Sequence, residues 1–239
     1  MIDTDPFLVG DLPEGALAGA WHEGAAIAVR RIPPMRRGPS MLLLGPIEDL
    51  GPMVSRLLSA GALREMTGIT VERHLLIQVQ ALLTDAGMPV GAGGDWDWMW
   101  TSEQPVSCEG EQRVVELDEV ADLDAILALY ALANPHAESQ PGEGVTAAWL
   151  GVRDGTGLVA VGALHRTPAG YPHLTGIAVS PTARGSGWGT ALSAALTRRA
   201  LTMAPMSTLG MYADNDTARA VYDRLGYQVA RAWSSRSFL

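Results

Sequence analysis

The sequence contains no lysine, so all 17 of its basic residues are arginines. They face 26 acidic residues, which gives a net charge of −9 and an isoelectric point near 5.0. Binding to nucleic acid depends on clustered positive charge, which this balance does not offer. We therefore expect no nucleic-acid partner, and bulk electrostatics favour cationic partners over anionic ones.

Cysteine and long apolar runs are also scarce. Cys108 is the single cysteine, so no internal disulfide can form, and a reducing cytoplasm is the expected compartment. The apolar stretches fall short of the ~20 residues that a membrane-spanning helix needs. The acidic start at 1–5 also lacks the basic and apolar segments of a signal peptide. We expect a cytoplasmic protein with no membrane partner, while its oligomeric state stays open and a homodimer is compatible with the sequence.

Charge and periodicity divide the chain into two predicted domains, 1–107 and 113–239. The residues up to 112 carry a net charge of −8 and the remainder a net charge of −1. An anionic ligand would therefore need a local site in the less acidic C-terminal half.

The N-terminal half has a predicted α/β order. The predicted elements are strands Ala25–Val29 and Met41–Leu44, helices Pro46–Gly61 and Val71–Leu83, and strand Asp95–Trp100. Three tryptophans alternate along the last strand and so share one face, where packing in a core or between domains is expected. The polar stretch Thr101–Gly110 is the predicted linker.

The C-terminal half alternates strand and helix patterns, which predict a mixed sheet flanked by helices in an α/β or α+β fold. The predicted elements are strand Val114–Leu117, helix Asp118–Ala133, strands Ala148–Val152, Leu158–Leu164 and Leu174–Val179, a helix ending near Leu201, strand Thr208–Tyr212, helix Asp216–Leu225, and one or two strands up to Leu239. A loop rich in Pro, Gly and acidic residues is predicted at Pro135–Gly144.

A glycine-rich turn between a strand and a helix, within Ile177–Leu192, is the first motif that carries chemistry. The N–H groups at a helix N-terminus are unpaired and, with the helix dipole, attract anions. Glycines at 185, 187 and 189 let the backbone approach a ligand closely. The spacing matches neither a Rossmann fingerprint nor a P-loop. A turn that opens the helix without binding a ligand is the plain alternative.

The second motif, Asn215–Tyr227, directly follows a strand. Asn215 or Asp216 can cap the predicted helix, and Gly226 is the expected stop signal. Asn215 and Tyr222 are two helical turns apart, so both can lie along one side of the helix. A simple cap and a tyrosine at the edge of the core are the alternative interpretations.

Together the two motifs resemble the GNAT superfamily of acyl-CoA-dependent N-acyltransferases over residues 113–239. The matching residues are Val179, Pro181, Arg184, Gly187 and Gly189 in the first motif, and Asn215, Ala218, Tyr222, Gly226 and Tyr227 in the second. The resemblance implies a GNAT-like mixed central sheet flanked by helices, with a smaller N-terminal α/β domain. Residues 1–107 lack both motifs, and their element order is loosely similar to a degenerate copy of the same fold.

The resemblance implies acetyl-CoA as co-substrate, no metal, and direct transfer of the acetyl group to a primary amine of a small molecule. The implied cofactor-binding residues are Ile177, Ala178 and Val179 for the pantetheine arm, Gly185, Ser186, Gly187, Trp188, Gly189 and Thr190 for the pyrophosphate, and Asn215 and Tyr222 near the pantetheine and thioester sulfur. Tyr222 would act as general acid. Direct transfer also means that Cys108 is not expected to act as a nucleophile.

The catalytic base is the weakest part of the resemblance. Many family members have a glutamate near the start of the strand that ends in Val-x-Pro, whereas this sequence has His173. A histidine with a pKa of ~6.5 is a usable base at neutral pH, and an ordinary strand histidine is the alternative. The weaker candidates for the base are His165, Glu138, Glu143 and Asp214.

Two other functions stay open at this point. One is a catalytically silent acyl-CoA-binding or interaction module, which the missing strand carboxylate allows but the intact Asn215 and Tyr222 argue against. The other is an acetyltransferase for protein or peptide N-termini. No metal site is predicted, because the histidines are scattered and none pairs with cysteine at ligand spacing.

Overall fold

The computed structural model describes residues 5–32 and 38–239. The helices in this part of the chain are α1 (Pro6–Asp11), α2 (Ile47–Ser59), α3 (Leu76–Asp85), α4 (Leu123–Ala133), α5 (Trp188–Met203) and α6 (Asp216–Arg224). The strands are β1 (Trp21–Glu23), β2 (Ala26–Arg31), β3 (Ser40–Leu44), β4 (Gly68–Glu72), β5 (Val90–Thr101), β6 (Val114–Leu117), β7 (Ala148–Asp154), β8 (Gly157–Arg166), β9 (Pro172–Val179), β10 (Ser207–Tyr212) and β11 (Gln228–Phe238).

The described residues form two compact units that do not follow the two halves of the chain. The N-unit comprises residues 14–32, 38–97, 212–214 and 231–239, and the C-unit comprises residues 5–13, 98–211 and 215–230. Helix α1 thus belongs to the C-unit, and most of β11 belongs to the N-unit. That residues 1–107 are a degenerate copy of the family fold, with a domain boundary before residue 113, stays a prediction.

In the N-unit the strand order is β1-β2-β3-β4-β11-β5. Strands β3 and β4 are parallel, whereas β1 with β2, β2 with β3, and β4 with β11 are antiparallel. Helix α2 buries one stripe of side chains spaced three or four residues apart, namely Leu50, Met53, Val54 and Leu57. This stripe packs in one cluster with residues of β2, β3 and β4, which forms the core of the N-unit.

In the C-unit the strand order is β5-β10-β9-β8-β7-β6. Helices α4 and α5 cover opposite faces of this sheet, because alternate residues of β8 belong to different clusters. Val161 and Ala163 pack with α4, whereas Ala160 and Leu164 pack with α5. The predicted mixed sheet flanked by helices is therefore confirmed. No helix within 5–32 or 38–239 is long and apolar enough to cross a membrane.

One predicted helix begins later than the sequence suggested. The prediction placed a helix over Val71–Leu83, but Val71 lies in β4 and α3 begins at Leu76. The run Ile69-Thr70-Val71 is β-branched, and such residues favour a pleated strand over a helix. The strand is buried within the N-unit, so packing and propensity agree there.

Helix α4 also begins later than predicted, at Leu123 instead of Asp118. The Asp118 carboxylate accepts hydrogen bonds from the backbone N–H groups of Val120 and Ala121, at 2.9 and 2.8 Å. Aspartate commonly satisfies local N–H groups in this way and so stabilises a turn ahead of a helix.

The packing of β5 against β11 generates a prediction about two glycines. A Cβ atom at Gly93 would overlap the backbone carbonyl oxygen of Ser235. One at Gly91 would crowd the Leu239 side chain, which can move, and would make an ordinary contact with the Ser237 carbonyl oxygen at 3.9 Å. Gly93→Ala should therefore lower the free energy of unfolding by ~1–3 kcal/mol or more, and Gly91→Ala by clearly less. Urea denaturation of both variants measures this difference. Equal stabilities would show that β5 and β11 do not approach this closely in solution.

Candidate active site

Strands β9 and β10 separate soon after they meet. Within the described chain they pair in parallel over two residue pairs, Thr208 with His173 and Leu209 with Leu174. Beyond these pairs, β9 continues to Val179 while its other edge stays bonded to β8. The register between β8 and β9 shifts at Gly176, which has a φ of +62°. Such a bulge bends a strand, and here it occurs where β9 and β10 part.

The edge of β9 that faces this opening includes the residues predicted to contact pantetheine, Ile177, Ala178 and Val179. A strand edge without a neighbouring strand presents N–H and C=O groups that an extended ligand can bond. The geometry of β9 is thus compatible with the predicted role of these residues.

Immediately after β9, the chain turns into the N-terminus of α5. Gly185 and Gly187 have φ values of +78° and +80°, and no atom lies within 4 Å of where their Cβ atoms would be. Helix α5 begins at Trp188 without a side-chain cap, so the N–H groups at its start point out of the helix unpaired. Open space above the glycines and aligned N–H groups fit a diphosphate anion.

A cavity of about 580 Å³ opens beside this turn. It is lined by Glu109, Gly110, Gln112, Arg113, Gly185, Ser186, Gly187 and Trp188. The Arg113 guanidinium lies 4.8 Å from the centre of the Trp188 ring, in a cation–π contact. A Cβ atom at Gly110 would come within 2.8 Å of the same ring. Sequence reasoning missed Arg113 and Gly110, because they lie on a segment that precedes both motifs.

Tyr222 lies on α6, in the cluster that also contains Leu174 and Leu209. Its ring contacts Tyr227 edge-on, with centroids 5.8 Å apart. Burial raises the pKa of Tyr222 above its usual value, so the hydroxyl stays protonated at neutral pH. The hydroxyl of Tyr227 is instead occupied by Thr197 and Ser207, at 2.9 and 2.7 Å.

Asn215 caps helix α6. Its Oδ1 accepts a hydrogen bond from the Ala218 N–H at 3.0 Å. The capping role leaves the two donors of the amide group available for a ligand, so the predicted contact with pantetheine stays a prediction.

His173 lies on β9 and is oriented by a neighbouring threonine. Its Nδ1 is 2.9 Å from the Thr208 hydroxyl, which donates its own proton to the Pro172 carbonyl at 3.1 Å. A hydroxyl has one proton, so it accepts from the Nδ1–H of His173. The neutral imidazole therefore has its lone pair on Nε2. His173 precedes the bulge by three residues, a span of roughly 10 Å along a strand.

A second group of polar side chains gathers next to the bulge, on the α4 side of the sheet. The Thr175 hydroxyl donates to the Glu138 carboxylate at 3.5 Å and accepts from Ser139 at 3.2 Å. The Tyr130 hydroxyl lies against Gly176, so close that a Cβ atom there would overlap it. The local sequence offered no signal for this group, since loop and strand residues meet only in the folded chain.

The other weak candidates do not join this group through any of the contacts seen. His165 Nε2 lies 3.2 Å from the Thr146 hydroxyl, and burial lowers the pKa of this histidine. Asp214 belongs to the N-unit.

Burial, followed by the neighbouring Glu111, raises the pKa of the Cys108 thiol, which keeps it a poor nucleophile. No group of three or more His, Cys, Asp or Glu side chains within 5–32 and 38–239 could hold a metal ion.

Comparison with known proteins relates most of the C-terminal half to a known family. A family model described as "Acetyltransferase (GNAT) family" matches residues 111–227. No curated protein matches the sequence.

Several solved structures share the fold. A putative GNAT acetyltransferase from Novosphingobium aromaticivorans is 18% identical, with a TM-score of 0.56, over 95% of this chain and 96% of that one. A GCN5-related N-acetyltransferase from Kribbella flavida is 15% identical, with a TM-score of 0.58, over 92% and 88%. A GCN5-related N-acetyltransferase from Sphaerobacter thermophilus is 18% identical, with a TM-score of 0.59, over 90% and 76%. At these identities the likeness concerns the fold.

The geometry of the glycine turn predicts opposite effects of one substitution on stability and on binding. Gly189 lies in the first turn of α5, and a Cβ atom there would make only an ordinary contact with Val179, at 3.7 Å. Gly189→Asp should stabilise the fold by ~0.3–1 kcal/mol, because a carboxylate favours a helix N-terminus. It should abolish binding of CoA, because the same carboxylate repels a diphosphate.

Gly189→Ala is the matched control, since it adds the Cβ atom without the charge. Calorimetric titration with CoA and thermal melting measure binding and stability of both variants. CoA affinity that is unchanged in a folded Gly189→Asp variant would show that the turn has only a structural role.

Proposed function

Residues 111–227 of this chain belong to the GNAT family of acetyltransferases, and from this premise we propose that the protein transfers an acetyl group from acetyl-CoA to a primary amine of a small molecule. The observation that carries the proposal is that the free edge of β9 and the glycine turn at the start of α5 follow each other directly in the chain. Strand β9 parts from β10 and then leads directly into the glycine turn at the start of α5. One extended ligand with an anionic end fits both features.

The proposed donor is held along this path. The opened edge at Ile177–Val179 would bond the pantetheine arm, and the amides from Gly185 to Thr190 would hold the diphosphate. Arg113, which lines the cavity beside the glycine turn, supplies positive charge in an otherwise acidic protein. Acetyl-CoA, when bound, supplies the activated thioester, and the protein supplies orientation and proton transfer.

Tyr222 is the proposed proton donor to the departing thiolate. Its raised pKa keeps the hydroxyl protonated and able to donate a hydrogen bond to the developing thiolate. The departing thiol has a pKa of ~8.5, below that of Tyr222, so full proton transfer depends on the proton that the acceptor nitrogen releases in the same reaction.

The acceptor amine must lose a proton before it attacks. An alkyl amine with a pKa of ~10.4 is neutral in only about one molecule in a thousand near pH 7.4, a deficit of ~4 kcal/mol. A base therefore accelerates the reaction substantially. His173 on β9 is the base predicted from the sequence, and Glu138, in the loop between α4 and β7, is a second candidate that bonds Thr175 of β9.

A catalytically silent acyl-CoA-binding module is the alternative function. The histidine at the strand position where many relatives have a glutamate is the observation that favours it. Thiol release from acetyl-CoA in the presence of an amine panel separates the two functions, and a peptide arm in the same panel tests for an acetyltransferase of protein N-termini. If the protein is an active enzyme, its net charge of −9 fits a cationic acceptor, and its single cysteine fits a cytoplasmic location.

Acetyl-CoA should stabilise the folded protein. At a concentration 100-fold above its Kd, a ligand that binds only the folded state adds ~2.7 kcal/mol to the free energy of unfolding. Thermal melting should show this gain with acetyl-CoA and with CoA, but not with NAD or ATP. The cofactor assignment fails if millimolar acetyl-CoA leaves the melting temperature where it was.

Tyr222→Phe should reduce kcat by ~10²-fold, at the lower end of the range for general acid–base catalysis, and should leave the Kd of acetyl-CoA unchanged. The ring and its contact with Tyr227 survive the substitution, so the fold should not suffer. Steady-state thiol release measures the effect.

Tyr227→Phe is the control, because that hydroxyl bonds only structural partners in the contacts seen. It should lower stability by ~1–3 kcal/mol and spare kcat. A Tyr222→Phe enzyme that turns over at the wild-type rate would reduce Tyr222 to a packing residue.

A further inference from the structure

The cluster of polar side chains at the bulge of β9, formed by Glu138, Ser139, Thr175 and Tyr130, has the features of a binding site for a cationic substrate. Glu138 is accessible to solvent, yet burial among surrounding protein atoms raises the pKa of its carboxyl group. We call the solvent-accessible space beside Glu138, Thr175 and Gly176 the cleft. Thr175, which bonds Glu138, is the residue directly before the bulge at Gly176.

A second carboxylate acts on the same cleft. Asp11 of α1 is buried, and its negative charge also raises the pKa of Glu138. A hydrogen bond from the Thr167 hydroxyl to the Gly10 carbonyl, at 2.6 Å, fixes the backbone of α1 next to the residue that follows β8.

An independent sign of a ligand comes from Tyr130. Its side chain is 97% buried, since only 3% of its surface is exposed, and its hydroxyl has no hydrogen-bond partner among the described residues. That hydroxyl lies at Gly176 and near the Cβ atom of Ser139, within the same polar group. Buried polar groups nearly always have a partner, and an exception at a cleft points to a bond made with a ligand.

We propose that the acceptor amine binds in this cleft, with Glu138 as the base that takes its proton and the Tyr130 hydroxyl as a further polar contact. This inference rests on the proposed acyl transfer. The ammonium group gives one proton to the Glu138 carboxylate, and the neutral nitrogen then attacks the thioester carbon. The C–N bond forms, the C–S bond breaks, and the sulfur leaves with its electron pair and receives a proton from Tyr222. The second nitrogen proton returns to Tyr222 through solvent, and Glu138 releases its proton to solvent.

The position of Glu138 suits this role better than that of His173. Glu138 reaches the strand at Thr175, adjacent to the bulge where β9 and β10 open. His173 lies where the two strands are still paired, and its Nδ1 is engaged by Thr208. In this proposal, the contact between His173 and Thr208 holds β9 and β10 together where the two strands are still paired.

The test compares three variants of the full chain: Glu138→Gln, His173→Asn and Tyr130→Phe. Glu116→Gln is the matched control, because Glu116 is 67% exposed on β6. Wild type is first assayed with acetyl-CoA and a panel of benzylamine, tyramine, spermidine and a short peptide, with free thiol as the readout. The acceptor with the highest turnover is then used for kcat/KM from pH 6 to 9, together with the Kd of CoA.

Glu138→Gln should lower kcat/KM by ~10²-fold or more at pH 7, and the loss should shrink toward pH 9. The reason is that the fraction of neutral amine rises about tenfold per pH unit below its own pKa, so a base becomes less necessary. Tyr130→Phe should lower kcat/KM without lowering stability, since no hydrogen bond within the protein is lost. Glu116→Gln should keep the wild-type kcat/KM and pH profile, and all four variants should bind CoA normally. A pH profile that shifts in His173→Asn and not in Glu138→Gln would assign the base to His173 instead.

Thermal melting provides a readout that needs no acceptor. Folding raises the pKa of Glu138, so the ionised carboxylate lowers stability above that pKa and this penalty is absent below the pKa of the unfolded chain. Glu138→Gln should therefore melt above wild type at pH 8, and the difference should vanish near pH 4.

The outcomes separate the two proposals. If wild type acetylates no member of the panel, the proposed function fails and this inference fails with it. If wild type is active but Glu138→Gln retains its kcat/KM, or loses the same factor at every pH, Glu138 is not the base and the proposed function stands. If Glu138→Gln does not fold, a Tyr130→Phe enzyme with wild-type kcat/KM overturns the cleft assignment.

Discussion

The separation of β9 from β10 is the constraint on which the rest of the C-unit depends. Backbone groups of a strand need hydrogen-bond partners, and beyond Leu174 the β10-facing edge of β9 meets none in β10. The bulge at Gly176 lies where β9 leaves β10, and the glycine turn after β9 leads directly into the N-terminus of α5. The strand edge, the bulge and the helix terminus follow one another in the chain, so the change of direction of β9 at Gly176 positions all three.

Much of this arrangement could be predicted because it is local. The elements from β9 to α6 follow the predicted order, and the predicted GNAT resemblance is confirmed by a family model that matches residues 111–227. Turn glycines and a capping asparagine act through neighbouring backbone, which a sequence displays directly. The alternation of apolar residues likewise identified the strands of the mixed sheet.

The acceptor side of the cleft could not be predicted, for a physical reason. Asp11, Glu138 and Thr175 come from a helix, a loop and a strand far apart in sequence, and only the fold brings these polar side chains near one another. A carboxylate in a polar loop gives no sign of the cleft around it. The buried hydroxyl of Tyr130 is equally invisible, because the sequence shows an ordinary apolar face of α4.

The exchange of terminal segments between the two units has a consequence for how the protein is made. Strand β11 is translated after every other strand, yet residues 233–237 pair with β4 in the N-unit. The N-unit therefore cannot complete its sheet when its own half of the chain leaves the ribosome, and the usual order of one domain folding before the next is synthesised does not hold. Until β11 arrives, one edge of β4 stays open to pairing with other chains, which makes the nascent protein dependent on protection from aggregation.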